Sequence, residues 1–339
     1  MAGRDYVLAR LGGARTGLLA AAGLEDLLSR PDAAGRMEVL RASVWRAAAE
    51  AGPGLDAVEA ALGAIARRQA GRVLAEIDDR SRRLLAAFLL AEDARALKGV
   101  VRAVARAIPA DRAAALLEPS PSLDLAALRE LAASADGPAL AGALEARGSP
   151  FAPALRSRAA DLRKPGALLQ AEVALDAAAA DALRRRTRGP GQDRRVLRRL
   201  ASLRTDLANA ATLLAAAGEP ELHGLHLAGG EAIGAEAFRD LAALPSRRLP
   251  EALAARLEPA LGPRGRTAPL LASPLVADHL LGRALARAAR REARRWPLTL
   301  AVPCAWLLDL GEELRRVRLV VRATDLGYPP AGLLDLLEA

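Results

Sequence analysis

One helical pattern occurs three times along the 339-residue chain, and this repetition limits the possible folds more than any other feature. In each copy an acidic residue follows a leucine at position −3 and precedes aliphatic or alanine residues at +4, +7, +8 and +10. These offsets fall on one face of an α-helix. The acids are Asp93, Asp206 and Glu313, which are separated by 113 and 107 residues.

Two interpretations of this pattern are open. Any two amphipathic helices in a chain rich in alanine and leucine align to some extent, so composition alone can produce such a match. The nearly constant spacing instead favours a threefold internal repeat with units of about 110 residues. On this interpretation the units cover residues 1–115, 116–222 and 223–339, and the three acids occupy equivalent positions.

The composition predicts an all-α fold. Alanine and leucine are strong helix formers and arginine is close behind them, whereas aromatic residues make up only 2% of the chain and β-branched residues rarely cluster. Proline and glycine pairs interrupt the helical pattern and divide the chain into helical hairpins. Ser273-Pro274 is typical of a helix start, and the pattern predicts a helix from there to Trp296.

Charge and cysteine content restrict the environment of the chain. The formal net charge is +9, which indicates either an anionic partner or solvated helix faces in an arginine-rich composition. Cys304 is the single cysteine, so no intrachain disulfide forms, which fits a reducing compartment. The longest uncharged apolar run near the C-terminus has 13 residues, and a membrane-spanning helix needs about 20. We therefore expect no transmembrane segment, and the N-terminal residues do not have the pattern of a signal peptide.

Motifs for catalysis and cofactor binding are missing from the sequence. The phosphate-binding loop G-x-x-x-x-G-K-[ST] and the nucleophile motif G-x-S-x-G do not occur. The glycine pairs do not follow strand patterns, as a dinucleotide-binding loop requires. His223 and His226 have no cysteine or acidic pair nearby that would complete a metal site. The sequence thus predicts a protein that is not an enzyme and that binds no metal or cofactor.

An arginine-rich segment is the clearest candidate for a binding surface. Five arginines recur at helical spacing with Glu292 as the only acid among them: Arg283, Arg287, Arg290, Arg291 and Arg294. One interpretation is a solvated helix face. The other is a contact with an acidic protein, with lipid headgroups or with phosphates. In either case we expect the five arginines to form one exposed face.

Several motifs in a fixed order are similar to those of a known family. They are Tyr6 with Ala9-Arg10 and Leu18-Leu19, Asp93 with Leu97, Glu172 with Leu175-Asp176, Asp206 with Asn209, Leu227 through Gly230, and finally Glu313, Leu314, Arg315, Val317, Arg318, Arg322, Gly327 and Pro329. In this order and spacing the chain resembles the central-stalk subunits of V-type (vacuolar and archaeal-type) rotary ATPases, a family with C-type members in prokaryotes and d-type members in eukaryotes. The chain departs from the family's pattern at Ala96 and Arg316, where asparagine is frequent, and at Tyr328, which replaces an aliphatic residue.

The resemblance implies an architecture and a role. The family is described as a funnel of three similar all-helical domains, here built from helical hairpins, about a pseudo-threefold axis. The resemblance implies a non-catalytic rotor subunit at the cytoplasmic face of the membrane. Such a subunit couples ATP hydrolysis or synthesis to ion translocation. The implied partners are the soluble rotor shaft and the membrane proteolipid ring, and nucleic acid is not among them.

The last of the three repeated helices supplies further interface candidates. Arg315, Arg318 and Arg322 recur at steps of three and four residues and therefore share one helix face. A buried arginine requires a carboxylate partner, and Glu313 is the best candidate for it within the repeat. We expect these four residues to serve structure or assembly rather than chemistry.

Two other classes of protein are compatible with the residues. A basic helical-repeat protein could bind nucleic acid. Its unit would have about 30 to 50 residues, whereas this chain repeats at about 110. A helical scaffold is the third interpretation.

Overall fold

The computed structural model describes residues 4–14, 17–19, 21–30, 32–52, 54–113, 117–158, 162–164, 166–217, 222–325 and 327. Across these residues the regular structure is helical and contains no strand. The predicted all-α fold is thereby confirmed. Tyr328 and Pro329, which belong to the C-terminal motif, lie outside the described residues.

The helices differ greatly in length, and the longest are α5, α6, α11, α12, α17 and α18. Their bounds are α1 (Arg4–Ala14), α2 (Ala21–Ser29), α3 (Ala33–Arg41), α4 (Arg46–Ala49), α5 (Leu55–Glu76), α6 (Asp79–Ala105), α7 (Ala110–Ala113), α8 (Leu125–Ala132), α9 (Gly137–Ala146), α10 (Ala152–Arg158), α11 (Ala167–Arg186), α12 (Gln192–Ala215), α13 (Ala235–Ala242), α14 (Leu249–Arg256), α15 (Glu258–Leu261), α16 (Arg264–Leu271), α17 (Pro274–Arg295) and α18 (Ala301–Asp325), with a 3-10 helix at Leu222–Leu225.

Local sequence explains several helix starts. Asp32, Asp124 and Asp136 each precede a helix, and each side chain accepts a hydrogen bond from the backbone N–H three residues later, at 2.7 to 2.8 Å. An aspartate in this position satisfies one of the free N–H groups of the first helical turn. The predicted helix from Pro274 is also confirmed, since α17 begins there and ends at Arg295.

The chain divides into two compact units, of which the first contains residues 1–82 and 282–339. Within this unit α18 packs against α5, α1 and α2, and α4 packs between α3 and α5. The side chain of Trp45 is fully buried in this core. The N-terminal segment and the C-terminal helix thus share one hydrophobic core.

The second unit contains residues 83–281. Leu97, Val100 and Val101 of α6 lie in its main hydrophobic cluster with side chains from α8, α9, α10 and α11. Helix α12 packs against α11, α13 and α14. This partition into two units does not test the expected division at residues 115 and 222, which stays a prediction.

The aliphatic faces that the periodicity assigned to α6, α12 and α18 are mostly buried, with Leu90, Leu203 and Leu214 partly buried. At +4 from the acids, Leu97, Ala210 and Val317 are each 0% exposed. The residues at +7 and +10 are buried in all three copies as well, although Ala216 lies just after the end of α12. The three helices therefore use the predicted face for packing.

Candidate functional site

The first of the three acids, Asp93, fixes a loop against α6. Its carboxylate is buried and accepts a hydrogen bond from Ser120 Oγ at 2.6 Å. Ser120 Oγ in turn accepts a hydrogen bond from the backbone N–H of Leu123, just before α8. Burial raises the pKa of Asp93, and hydrogen bonds from Ser120 and Ser122 counteract part of that rise. The acid therefore serves to hold the segment that leads into α8.

Asp206 holds a second loop against α12, through three backbone N–H groups. Glu231 and Ala232 donate to Oδ2 at 3.1 Å, and Ile233 donates to Oδ1 at 2.7 Å. Gly230 lies so close that an added Cβ would be 2.2 Å from Asp206 Oδ1. Only glycine fits at this position without displacing the carboxylate.

Asn209 holds the same loop from the next turn of α12. Its Nδ2 donates to the carbonyl oxygens of Leu227 and Ile233 at 3.0 and 3.2 Å, and its Oδ1 accepts from the N–H of Leu227 at 2.8 Å. Because the Asn209 side chain is fully buried, loss of these partners would leave polar atoms unsatisfied.

Glu313 is the third acid, and the N-terminal segment supplies its partners. Its carboxylate accepts a hydrogen bond from Trp45 Nε1 at 2.6 Å and another from the backbone N–H of Leu19. Burial raises the pKa of Glu313 to about 7, while these hydrogen bonds and the nearby Arg316 oppose the rise. The helical spacing predicted Glu313 as a carboxylate for the arginines of α18. The hydrogen bonds seen at Glu313 come from Trp45 and Leu19, and Arg316 is the arginine of α18 whose charge acts on it.

We call Asp93, Asp206 and Glu313 the loop-binding acids, because each lies in a long helix and binds a loop through hydrogen-bond donors. In the first two cases a donor lies 27 residues after the acid. In the third case the donors come from the start of the chain. All three acids are buried, but their donors differ: a serine hydroxyl, backbone N–H groups, and an indole with one backbone N–H. The equivalence of the three positions stays a prediction.

A second feature recurs nine residues after two of the loop-binding acids. Arg102 binds both carboxylate oxygens of Glu172 in α11, and Arg322 binds both carboxylate oxygens of Glu59 in α5. Each contact is bidentate and joins two long helices, so it fixes both the distance and the angle between the two side chains. Lys98 adds an ion pair with Asp176 at 2.5 Å, so α6 and α11 are joined twice. The second acid, Asp206, has Ala215 at this offset, so two of the three copies share the arginine–glutamate contact.

The remaining arginines of α18 have different surroundings. Arg315 forms an ion pair with Glu312, one turn earlier on the same helix. The side chain of Arg318 is buried. Glu312 and Glu59 thus supply carboxylates for Arg315 and Arg322, and the role of these arginines in structure or assembly stays a prediction.

The arginine-rich segment of α17 does not form one exposed face. Arg283, Arg287 and Arg290 are partly buried, whereas Arg291 and Arg294 are exposed. Arg290 forms an ion pair with Asp309 of α18 at 2.5 Å. The expectation of a single exposed stripe is therefore wrong, because part of α17 packs its charged face toward α18 rather than toward solvent.

Between these helices lies a polar cavity of about 290 Å³, which we call the arginine cavity. Its charged lining residues are Arg283, Arg290, Arg316, Asp309, Glu312 and Glu313. Burial lowers the pKa of Arg283 to about 10, and the charges of Arg316, Arg287 and Arg290 contribute to this lowering, against the attraction of Glu312. Burial also lowers the pKa values of Arg287 and Arg316. The lining of the cavity thus holds three arginines and three carboxylates.

The described residues give no sign of a metal site or a membrane-spanning segment. Among them no three histidine, cysteine or acidic residues are grouped so that they could hold a metal ion. None of the helices in the described ranges combines the length and apolar character needed to cross a bilayer.

Three partners of the predicted residues could not be found from the sequence, namely Trp45 for Glu313, Glu59 for Arg322 and Ser120 for Asp93. The first two are more than 260 positions from their partners in the chain. A local pattern cannot reveal contacts at such separations. The glycine pair before Ile233 was a feature of the sequence that pointed to one such contact, since Gly230 lies in the loop that Asp206 holds.

Comparison with known proteins identifies a family that spans nearly the whole chain. A family model described as ATP synthase (C/AC39) subunit matches residues 7–334. No curated protein matches the sequence. The matched region contains all three loop-binding acids and the arginine cavity.

Proposed function

The chain belongs to the ATP synthase (C/AC39) subunit family, which is the family of V-type ATPase central-stalk subunits named above, and on this basis we propose that it is a non-catalytic rotor subunit. In this role it links the soluble rotor shaft to the membrane proteolipid ring. It thereby couples ATP hydrolysis or synthesis to ion translocation. Its position is at the cytoplasmic face of the membrane.

The family match over residues 7–334 is the observation that carries this proposal. The loop-binding acids support it physically, because an adaptor that transmits torque must resist deformation. Helices α6, α12 and α18 are each joined to a loop by a buried carboxylate, and α6 and α18 are each joined to a second long helix by a paired arginine–glutamate contact. Such contacts have few alternative geometries, so they favour stiffness.

The proposal is tested by removing the chain from its host. We expect membranes without it to lose ATP-driven ion transport, while the ATPase head continues to hydrolyse ATP in the soluble fraction. Adding back the purified protein should restore coupled transport. Membrane vesicles that lack the chain and still transport ions at the normal ratio to ATP hydrolysed would contradict the proposal.

The exposed arginines of α17 provide a finer prediction about assembly. Replacing Arg291 and Arg294 by glutamine should weaken binding to the rest of the rotor roughly fivefold at 0.1 M salt, since an exposed charge contact contributes about 0.2 to 1 kcal/mol. The difference should vanish at high salt, because the screening length shortens from about 10 Å at 0.1 M to about 3 Å at 1 M ionic strength.

The matched control for this variant is the replacement of Arg195 and Arg199, two exposed arginines of α12, by glutamine. It changes the net charge equally and should leave assembly unchanged. If the Arg291 and Arg294 variant assembles normally across the salt series, the two residues belong to a solvated surface. If it instead loses tight binding to DNA or RNA, the nucleic-acid interpretation gains support.

A further inference from the structure

We propose that the turn between α17 and α18 binds an anionic lipid bilayer, with Leu298 inserted among the acyl chains and the arginines at the end of α17 in contact with the headgroups. We call residues 296–299 the apolar turn. The proposal rests on the geometry of this turn and goes beyond the rotor role, because it assigns a lipid contact to a surface of the chain itself.

The backbone of the apolar turn holds an apolar residue in a fixed position. The N–H of Thr299 donates to the carbonyl oxygen of Trp296 at 3.2 Å, and the Thr299 hydroxyl donates to the same oxygen at 2.8 Å. Pro297 and Leu298 occupy the two central positions, and proline is favoured at the first of them. Thr299 Oγ also accepts a hydrogen bond from the N–H of Ala301, the first residue of α18. Because the turn is ordered before it meets a partner, binding costs little conformational entropy.

Leu298 is the most exposed residue of its kind in this part of the chain. It is 63% exposed, and only Tyr6 is comparable among the large hydrophobic residues that the structure describes. The preceding Pro297 is exposed too, whereas Thr299 and Leu300 are buried. A single exposed leucine is common on protein surfaces, but this one lies at the corner of an ordered turn. It can enter an apolar phase without a change of the fold.

Exposed arginines accompany the apolar turn. Arg291, Arg294 and Arg295 are exposed at the C-terminal end of α17, and Glu292 is the one acid between them in the sequence. Residues 293–308, which include the whole turn and the start of α18, contain no acidic residue. This end of α17 and the turn therefore carry a net positive charge, which complements a layer of anionic headgroups.

The side chain of Trp296 suits the boundary between headgroups and acyl chains. It is partly buried, and the guanidinium of Arg295 lies 5.5 Å from the centre of its ring. Tryptophan is enriched at this boundary in membrane proteins, because its ring is largely apolar and carries one polar N–H. From Leu298 back into α17 the chain thus presents an apolar residue, a tryptophan and then arginines. This order matches that of acyl chains, boundary and headgroups.

A bilayer fits this surface better than an acidic protein does. A stable protein interface buries about 800 Å² on each partner around an apolar core. The large hydrophobic residues exposed in the described part of the chain are only Leu298 and Tyr6, so such a core is not present at the turn. A lipid surface requires no matching shape and accepts one apolar side chain among cations.

Sedimentation of the full chain with vesicles tests the proposal. Vesicles of equal parts phosphatidylcholine and phosphatidylglycerol should bind the chain, and vesicles of phosphatidylcholine alone should bind it much less. Leu298→Ser should weaken binding to the mixed vesicles about tenfold, because burial of a leucine side chain contributes a factor of this size or more. Leu298→Met keeps an apolar side chain and should bind as the wild type does.

Tryptophan fluorescence shows whether this turn is the part of the chain that enters the bilayer. The chain has three tryptophans, of which Trp45 and Trp306 are buried, so Trp296 is the one that lipid can reach. Mixed vesicles with brominated acyl chains should quench its emission. Leu298→Ser should reduce this quenching at equal lipid concentration.

Replacing Arg294 and Arg295 by glutamine should weaken binding to the mixed vesicles roughly twentyfold, since each arginine near an anionic surface contributes about a factor of five. The matched control replaces Arg195 and Arg199 of α12, which are also exposed, and removes the same charge. Bound to brominated vesicles, this control should show the same quenching of Trp296 as the wild type.

Three results would overturn the proposal. The first is that the mixed vesicles do not bind the chain, which would favour an acidic protein as the partner of this surface. The others are binding without quenching of Trp296, and binding that Leu298→Ser leaves unchanged, since either means that another basic surface contacts the lipid. None of these results decides the rotor role, because the transport test of that role removes the whole chain.

Discussion

Replacing Gly230 by alanine should lower the free energy of unfolding by about 3 kcal/mol, because the new methyl group forces the Asp206 carboxylate out of place. The added Cβ would lie 2.2 Å from Asp206 Oδ1 and 2.9 Å from its Cγ. Asp206 is buried and holds the N–H groups of residues 231–233, so its displacement also breaks these hydrogen bonds. Urea denaturation followed by far-UV circular dichroism measures the loss.

Two comparisons separate this clash from a general effect of alanine. Gly142 lies in α9 of the same unit, is exposed, and would have no atom within 4 Å of an added Cβ. Gly142→Ala should therefore stabilise the protein by about 0.5 to 1 kcal/mol. In an Asp206→Ala background, Gly230→Ala should cost less than about 1 kcal/mol, since its clashing partner is gone. An equal cost in both backgrounds would show that Asp206 is not the cause.

The sequence predicted the helical faces well because packing follows a local period. Leu97, Ala210 and Val317 are buried as expected, since a helix that places apolar residues on one face gains by covering that face. Pro274 marks the start of α17 for a similarly local reason, because proline fits the first helical turn.

The charged residues were predicted less well, because spacing shows which residues share a face but not what that face meets. Arg283 and Arg291 lie two turns apart on α17, yet Arg283 lines a cavity and Arg291 is exposed. Between them in the sequence, Arg290 pairs with Asp309 of α18. Charged side chains of a helix do not all face solvent where a neighbouring helix offers carboxylates as partners.

The partners of Glu313 could not be predicted for a different reason. Trp45 is 268 residues away in sequence, and nothing in its local pattern marks it as a hydrogen-bond donor to α18. The contact exists because the N-terminal segment packs in the same unit as α18. Such closure is a property of the chain topology, which a local helical pattern does not reveal.

The raised pKa of Glu313 predicts that stability falls as the pH rises. An unfolded chain binds this proton with a pKa near 4.5, whereas the folded protein binds it with a pKa of about 7. The folded state therefore holds more protons between these values. Its contribution to stability is fully present below about pH 4.5 and is lost as the pH rises toward 7. A difference of this size corresponds to about 3 kcal/mol.

The charged groups near Glu313 account for only part of the rise in its pKa. Arg316 favours the ionised form and Asp309 disfavours it, while Glu312, Arg283 and Arg290 line the same cavity. Burial is the largest cause. Replacement by glutamine removes the charge and keeps an oxygen that accepts a hydrogen bond from Trp45, so the variant should lack this part of the pH dependence.

We expect the free energy of unfolding of the wild type, minus that of Glu313→Gln, to decrease by about 3 kcal/mol between pH 4.5 and pH 8. Denaturation curves of both proteins across this range give the difference directly, and all other titrating groups cancel to first order. Glu236→Gln, which removes an exposed carboxylate from α13, controls for the change in net charge. A difference between wild type and Glu313→Gln that stays constant with pH would show that Glu313 is ionised in the folded protein throughout, held by Arg316 more strongly than burial opposes it.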